Sequence, residues 1–441
     1  MTLLPLPDAR SERPLRTGPL VARTVAVPLP VAADLISVIP DLAAEDVFSW
    51  VRRGEGFVGW GRVAEVPTDG PDRFARAEAW WQDLVSTAEV YDEVGLAGTG
   101  PVALGSFAYS AASATGASLT VPQVVVGRRG EQAWVTTMGF GAAPELPDLT
   151  DLTDLAAGPA RQPSAIRFAD GARSSLDWAA VVRAAVERIT EGELDKVVLA
   201  RDLEVDADDP IDVRWLLARL AERYDTTWVF SVDGLVGATP ELLVRLDKGL
   251  VHSRVLAGTI RRTGDDEHDL ALAASLARSS KDLEEHEYAV RSVADALRPH
   301  CYSMNVPESP FVLHLTNVMH LATDVAGVLG DRTTSLTLAA SLHPSAAVCG
   351  TPTSLADAVI AEIEGMDRGR YAGPVGWMDA TGDGEWGIAL RCGALDPADP
   401  SRMRLFAGCG IVAGSDPDAE VAESDAKFVP MRDALTSDPL A

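Results

Sequence analysis

Along the C-terminal part of the chain, apolar residues recur either at every second position or at steps of three and four. The two patterns alternate between turn signals. Asp177–Glu191 has helical spacing and predicts a helix. The run KVVLARDLEV, which opens at Lys196, is rich in β-branched residues, alternates in polarity and predicts a strand. Pro210–Tyr224 predicts a second helix, with Asp209 as its cap and Pro210 at its first position. TTWVFSVDGLVGATPELLVRLDKGLVHSRVLAGT reads as successive strands, and its VDG and DKG turns predict antiparallel hairpins. Ser279–Arg298 predicts a long helix. A further hairpin is expected in GRYAGPVGWMDATGDGEWGIALRCGAL, turning at ATGDG. A strand in RMRLFAGCGIV follows, then a last helix capped by SDP.

The N-terminal pattern is weaker. Residues 1 to about 30 predict a loose lead-in or an edge strand; GEGFVGWGRVAEV and GPVALGSFAYS predict strands, and Ala75–Glu93 a helix. The Pro-, Asp- and Leu-rich stretch from Ala142 to Pro163 lacks periodicity and reads as a connection. The expected organisation is a divergent scaffold portion over residues 1–150, a connection over 151–174 and a catalytic portion over 175–435. The fold class is α+β, with large antiparallel sheets flanked by helices.

Composition narrows the function. Sixty-five acidic residues against 38 Lys and Arg give a net charge of −27. So acidic a chain argues against nucleic acid and anionic membrane as partners. An anionic substrate would therefore need a local cationic pocket. Cys301, Cys349, Cys392 and Cys409 show no metal or disulfide spacing and read as reduced thiols of a cytoplasmic protein. The N-terminus lacks the basic and apolar regions of a signal peptide, and no run approaches the ~18 apolar residues of a membrane span. The length and charge are compatible with a monomer.

Several residues carry candidate chemistry. Asp282 with Glu285, and Glu420 with Glu423, each place two carboxylates on one helical face. Two such faces meeting across a pocket would make an oxygen-rich Mg2+ site, with Lys427 one turn on to take an anion. The alternative is a pair of solvated acidic faces. Lys196, entering a buried strand, is a candidate base; a lysine reaching back to water is the other reading. Glu241, beside apolar LLV, is a candidate general acid or a solvated turn residue. Gly408 and Gly410 would offer backbone N–H groups to a carboxylate, or simply end a strand. Arg391, flanked by strand residues and expected on a buried inner face, needs a carboxylate from a substrate or from the chain. Tyr371 would donate its phenol to the same ligand or pack as a half-buried tyrosine. His320 has no second histidine at metal spacing.

Together, KVVLAR, GATPELL, LAGTIRR, KDLEEHE, NVMHLAT, LHPSAAVCGTP, YAGPVGW, GEWGIALRC, FAGCGIV and AEVAESDAK occur in an order that resembles the chorismate-utilising enzymes over about residues 175–435. That family includes isochorismate synthases, salicylate synthases and anthranilate synthase large subunits. The resemblance implies an anthranilate-synthase-component-I-like fold, chorismate as substrate and Mg2+ as cofactor. It implies Lys196 as base and Glu241 as acid. Glu285 and Glu423 would bind Mg2+, supported by Asp282 and Glu420. Lys427, Gly408 and Gly410 would hold the ring carboxylate, and Tyr371 and Arg391 the enolpyruvyl carboxylate. Gly258, Thr259 and His320 would line the pocket. In this family a lysine at the position of Lys196 marks the water-using branch, so isochorismate synthase is the implied activity. A salicylate synthase is the nearest alternative and a silent metabolite-binding homologue the next. Menaquinone and siderophore routes both begin with isochorismate. The sequence departs from the commoner pattern at Thr239, Ser345 and Ala346.

Overall fold

The computed structural model describes residues 18–29, 34–145, 159–314 and 318–436, except for the side chains of Lys281 and Glu285. Two large sheets pack face to face, with helices on their outer sides. Among the described residues one sheet has thirteen strands and the other ten. Among the described residues every pairing is antiparallel except that of Leu20–Val27 with Glu89–Asp92. The larger sheet runs from Arg167–Asp170 through Lys196–Asp206, Asp399–Ile411, Cys392–Asp396, Leu235–Thr239 and Trp228–Val232. It then takes in Val47–Arg52, Glu55–Trp60 and the remaining N-terminal strands. The smaller sheet places Val318–Leu329, Leu250–Arg261, Leu242–Asp247, Gly384–Ile388 and Pro374–Asp379 side by side, then continues into Val102–Phe107. Strands from before and after residue 150 thus share both sheets. The segment expected as a pure connection contributes the strand Arg167–Asp170; its residues 151–158 lie outside the described residues.

Local chemistry explains most boundaries. Asp233–Gly234 and Lys248–Gly249 both have positive φ (50° and 75°; 49° and 81°), as two-residue hairpin turns matching the twist of their strands require. Ser279 Oγ accepts the Asp282 N–H at 3.3 Å and starts the helix Ser280–Leu297. Asp416 Oδ1 accepts the Ala419 N–H at 2.9 Å at the start of Pro417–Thr436. The helix expected over Ala75–Glu93 instead spans Arg73–Ser86, because Glu89–Asp92 pairs with Leu20–Val27. That strand, expected at an edge, lies between Glu89–Asp92 and Gln132–Phe140.

The helix expected from Pro210 starts at Val213, and its cap is Asp212, not Asp209. Asp212 accepts from Arg214 N at 3.0 Å, from the Arg214 guanidinium at 2.7 and 3.0 Å, and from Arg161 N at 2.9 Å. These contacts hold its carboxyl below the ordinary range despite burial. Asp212→Ala removes a cap and the main partner of a buried guanidinium, so a loss of roughly 3 kcal/mol is expected in urea unfolding. An unchanged midpoint would contradict this.

Among the described residues, two large apolar cores and a small cluster of Ala273, Leu276, Met319 and Leu321 hold the layers. One includes Trp81, Phe107, Phe230, Trp377 and Trp386. The other packs Leu216, Leu217 and Leu220 with Phe428, Met431 and Leu435 against the larger sheet. Each such side chain is worth about 1.5–3 kcal/mol when fully buried.

Candidate active site

Among the points where the chain passes from one sheet to the other, two crossings line one cavity. Pro240–Glu241 joins Leu235–Thr239 of the larger sheet to Leu242–Asp247 of the smaller. Leu390–Arg391 joins Gly384–Ile388 of the smaller sheet to Cys392–Asp396 of the larger. The cavity has a volume of about 250 Å³. The strand starting at Lys196 and the Gly408–Gly410 stretch wall it from the larger sheet, while Gly258, Thr259 and His320 wall it from the smaller. Asp282 reaches it from one helix, and Glu420, Glu423 and Lys427 from the last helix. Tyr371 completes the set. Of the residues singled out by sequence, only Glu285 is not placed there, because its side chain lies outside those described.

Glu241 is 7% exposed, and its backbone is fixed on both sides. Its N–H donates to Thr239 Oγ1 at 3.3 Å, and its carbonyl accepts the Ile388 N–H at 3.1 Å. Its carboxyl makes no hydrogen bond to a described residue. Burial pushes that carboxyl up to about 7, against the opposing pull of Lys196, Arg391 and Lys427. The solvated-turn reading of Glu241 is therefore excluded. Lys196 is 9% exposed, and its strand pairs Val198 with Gly410 and Ala200 with Gly408.

Arg391 is not a strand residue. It adopts φ +50° at the crossing between sheets and is half-buried. No carboxylate lies within ion-pair distance of it among the described residues, and burial lowers its pKa. Tyr371 is 5% exposed and stacks on Phe406 at 5.2 Å. Burial pushes its phenol upward, so it remains a donor. Gly408 permits this arrangement: a Cβ there would meet Tyr371 Oη and Leu199 O, each at 3.0 Å. Gly258, at φ +74°, is the extra residue of a bulge, and its bare backbone lets Asp282 approach. His320 Nδ1 lies 2.9 Å from Thr259 Oγ1, and Nε2 has no partner among the described residues. Burial and two cations lower its pKa to about 3, so the ring is neutral.

Lys427 Nζ donates to Gly408 O at 2.8 Å and pairs with Glu423 at 2.7 Å. Burial opposes its charge, but Cys409 and Glu423 outweigh that and raise its pKa. Burial likewise disfavours charge on Glu423, yet Lys427 and Arg391 bring its pKa below the ordinary value. Arg391 and Lys427 supply a local positive field in an acidic chain.

Two polar residues at the site were given no role by the sequence reading, Arg368 in the cavity wall and Cys409 behind it. Cys409 has its Sγ within 4.8 Å of ligand atoms of Glu420 and Glu423. Arg368 is buried against Glu364 at 2.6 Å and donates to Val198 O and Val348 O. The RGR triplet beside Tyr371 was its one sequence signal.

Enclosed cations around an acid held near neutrality suit an enzyme that moves protons on a small anion. Comparison with known proteins narrows that class. Residues 19–436 match the family described as chorismate binding enzyme, and the chain belongs to that family. Isochorismate synthase DhbC of Bacillus subtilis is 42% identical over 274 residues, covering 59% of this chain and 68% of that protein. The salicylate biosynthesis isochorismate synthase of Pseudomonas aeruginosa is 34% identical over 413 residues, covering 88% and 84%. Among solved structures, MenF, the menaquinone-specific isochorismate synthase of Escherichia coli, superposes with a TM-score of 0.77 at 25% identity, covering 96% of each chain. Among the described residues no helix is long and apolar enough to cross a membrane.

Proposed function

We propose that this chain is an isochorismate synthase, converting chorismate to isochorismate by adding water at C2 of the ring and releasing the C4 hydroxyl. One observation carries the reading: Lys196 and Glu241 line the same cavity, and Glu241 is held up to about 7 there. Lys196 takes a proton from water as its oxygen bonds to C2. The ring double bonds shift, and the C4–O bond breaks as Glu241 gives its proton to the departing oxygen. Arg391 and Tyr371 hold the enolpyruvyl carboxylate, and Lys427 with the Gly408–Gly410 backbone holds the ring carboxylate. Gly258, Thr259 and the neutral His320 shape the remaining wall.

The acids of this cavity fit Mg2+. Asp282, Glu420 and Glu423 bring hard oxygen donors to it. The Cys409 thiol, pushed up to about 12 by burial, stays protonated and is no ligand for a hard ion. Glu423 and Glu285 would hold Mg2+, with Asp282 and Glu420 supporting. When bound, the ion would neutralise the ring carboxylate and act as a Lewis acid beside it. Glu423→Gln is expected to weaken Mg2+ binding roughly tenfold or more in calorimetric titration, an effect of the size seen at other metal sites. Equal affinity in that variant would remove Glu423 from the site.

Chromatography of products from enzyme, chorismate and Mg2+ tests the function. Isochorismate as the accumulating product is expected. Salicylate with pyruvate would replace the reading by a salicylate synthase. Anthranilate formed only with ammonium would assign the other branch, and Mg2+-dependent binding with no product would leave a silent homologue.

A further inference from the structure

Glu241 also lines a second, smaller cavity of about 10 Å³, which shares Glu241 and Ala347 with the catalytic one. All of its lining residues are buried except Arg254 and Ala347, which are partly so. Most of its wall is aliphatic. Leu242, Leu243 and Ile388 come from the smaller sheet, and Ala289 and Val293 from the helix Ser280–Leu297. Two hydroxyl residues interrupt that wall, Ser345 and Ser253.

Ser345 is 7% exposed, and its Oγ is buried with no hydrogen-bond partner among the described residues. Its backbone is fixed, because its carbonyl accepts the Val348 and Cys349 N–H groups at 3.1 and 3.0 Å. Ser253 sits on the buried face of the strand Leu250–Arg261, in step with Val251 and Val255. Glu241 bonds to described residues through its backbone and not through its carboxyl. A buried hydroxyl and a buried carboxyl, both unpaired at one cavity, are costly unless something polar joins them. A volume of about 10 Å³ suits one water molecule, which needs about two to four polar partners. Glu241, Ser345 and Ser253 are placed to be those partners.

We propose that Ser345 is a positioning residue for Glu241: with Ser253 it holds one water molecule in the small cavity, and that water donates a hydrogen bond to the Glu241 carboxyl. Such a bond is stronger to the carboxylate than to the acid. It therefore orients the carboxyl and stabilises the charge that appears as the proton leaves. The cations that face Glu241, Lys196, Arg391 and Lys427, all line the catalytic cavity. Arg254, the other charged residue in the wall of the small cavity, is held by Asp324 at 2.6 and 2.8 Å. The hydrogen bond is independent of the reaction, whereas its effect on turnover rests on Glu241 acting as the acid proposed above.

Infrared difference spectroscopy reads the C=O stretch of a protonated carboxyl without any substrate, and Glu241→Gln identifies the Glu241 band. In the full-length protein with Ser345→Ala, that band is expected to titrate about one pH unit higher than in the wild type, because the carboxylate has lost a hydrogen bond. Ser253→Ala should shift it in the same direction and guards against a folding defect in the first variant. Ser345→Thr keeps the hydroxyl and should titrate as the wild type does. In turnover, kcat of Ser345→Ala is expected to fall about tenfold, with KM for chorismate within about threefold of wild type and the alkaline limb moved upward with the band. An unshifted band in both alanine variants, or a shift in Ser345→Thr as large as in Ser345→Ala, would overturn the assignment. Absence of isochorismate from the wild-type reaction would overturn the proposed activity instead and leave the infrared titration to decide on the water.

Discussion

Lys196→Ala is expected to lower kcat by about 10²–10⁴-fold and to leave chorismate affinity within a few fold of wild type, because general-base removal acts on the transition state. The carboxylates of the substrate are assigned to other groups: Arg391 and Tyr371 at one end, Lys427 and the Gly408–Gly410 backbone at the other. The position tolerates alanine structurally. Lys196 opens its strand, and the strand is held further along by Arg368 on Val198 O and Glu364 on the Ala200 N–H. Calorimetric binding of chorismate and steady-state turnover on the same preparation separate the two effects. A fall in both to the same extent would make Lys196 a binding residue. Turnover within tenfold of the wild type would remove it from the reaction.

How far the sequence alone reached depended on the range of the interaction involved. Ser279, the Asp233–Gly234 and Lys248–Gly249 turns and the SDP cap act through neighbours in sequence, and each was legible. The Asp212 cap was not, since Asp209 before Pro210 offers the stronger local signal. What selects Asp212 is the backbone of Arg161, 51 residues away. The helix end at Ser86 was hidden for a similar reason, because pairing with Leu20–Val27 converts Glu89–Asp92 into a strand. Arg391 looked like a strand residue in IALRC, yet it turns at φ +50° because the chain changes sheets there. The catalytic candidates, from Lys196 to Lys427, have no mutual spacing that sequence periodicity could detect. Ordered motif resemblance linked them, and the sheet crossings at Pro240–Glu241 and Leu390–Arg391 help explain why they meet.

In the proposed reaction Glu241 sets the pH dependence. Its acid form must be present for the C4 hydroxyl to leave, and burial holds the folded pKa at about 7 against an ordinary value of 4.5. Activity in kcat/KM is therefore expected to fall as pH rises through about 7. A bound dianion adds negative charge to the cavity and favours the protonated carboxyl, so the same limb in kcat should lie at higher pH. Glu241→Gln should abolish this limb along with about 10²–10⁴ of the rate. Stability falls with rising pH as well. A carboxyl with a raised folded pKa contributes stability that is complete below the unfolded value and disappears as pH climbs through the folded one. Between about pH 4.5 and 7 the wild type should therefore lose about 3 kcal/mol that the glutamine variant, with nothing to ionise, retains. Urea unfolding of both proteins across that range is the measurement. The inactive variant should become the more stable protein at pH 8, and a stability difference that stays flat across the range would show that Glu241 is not buried as an acid.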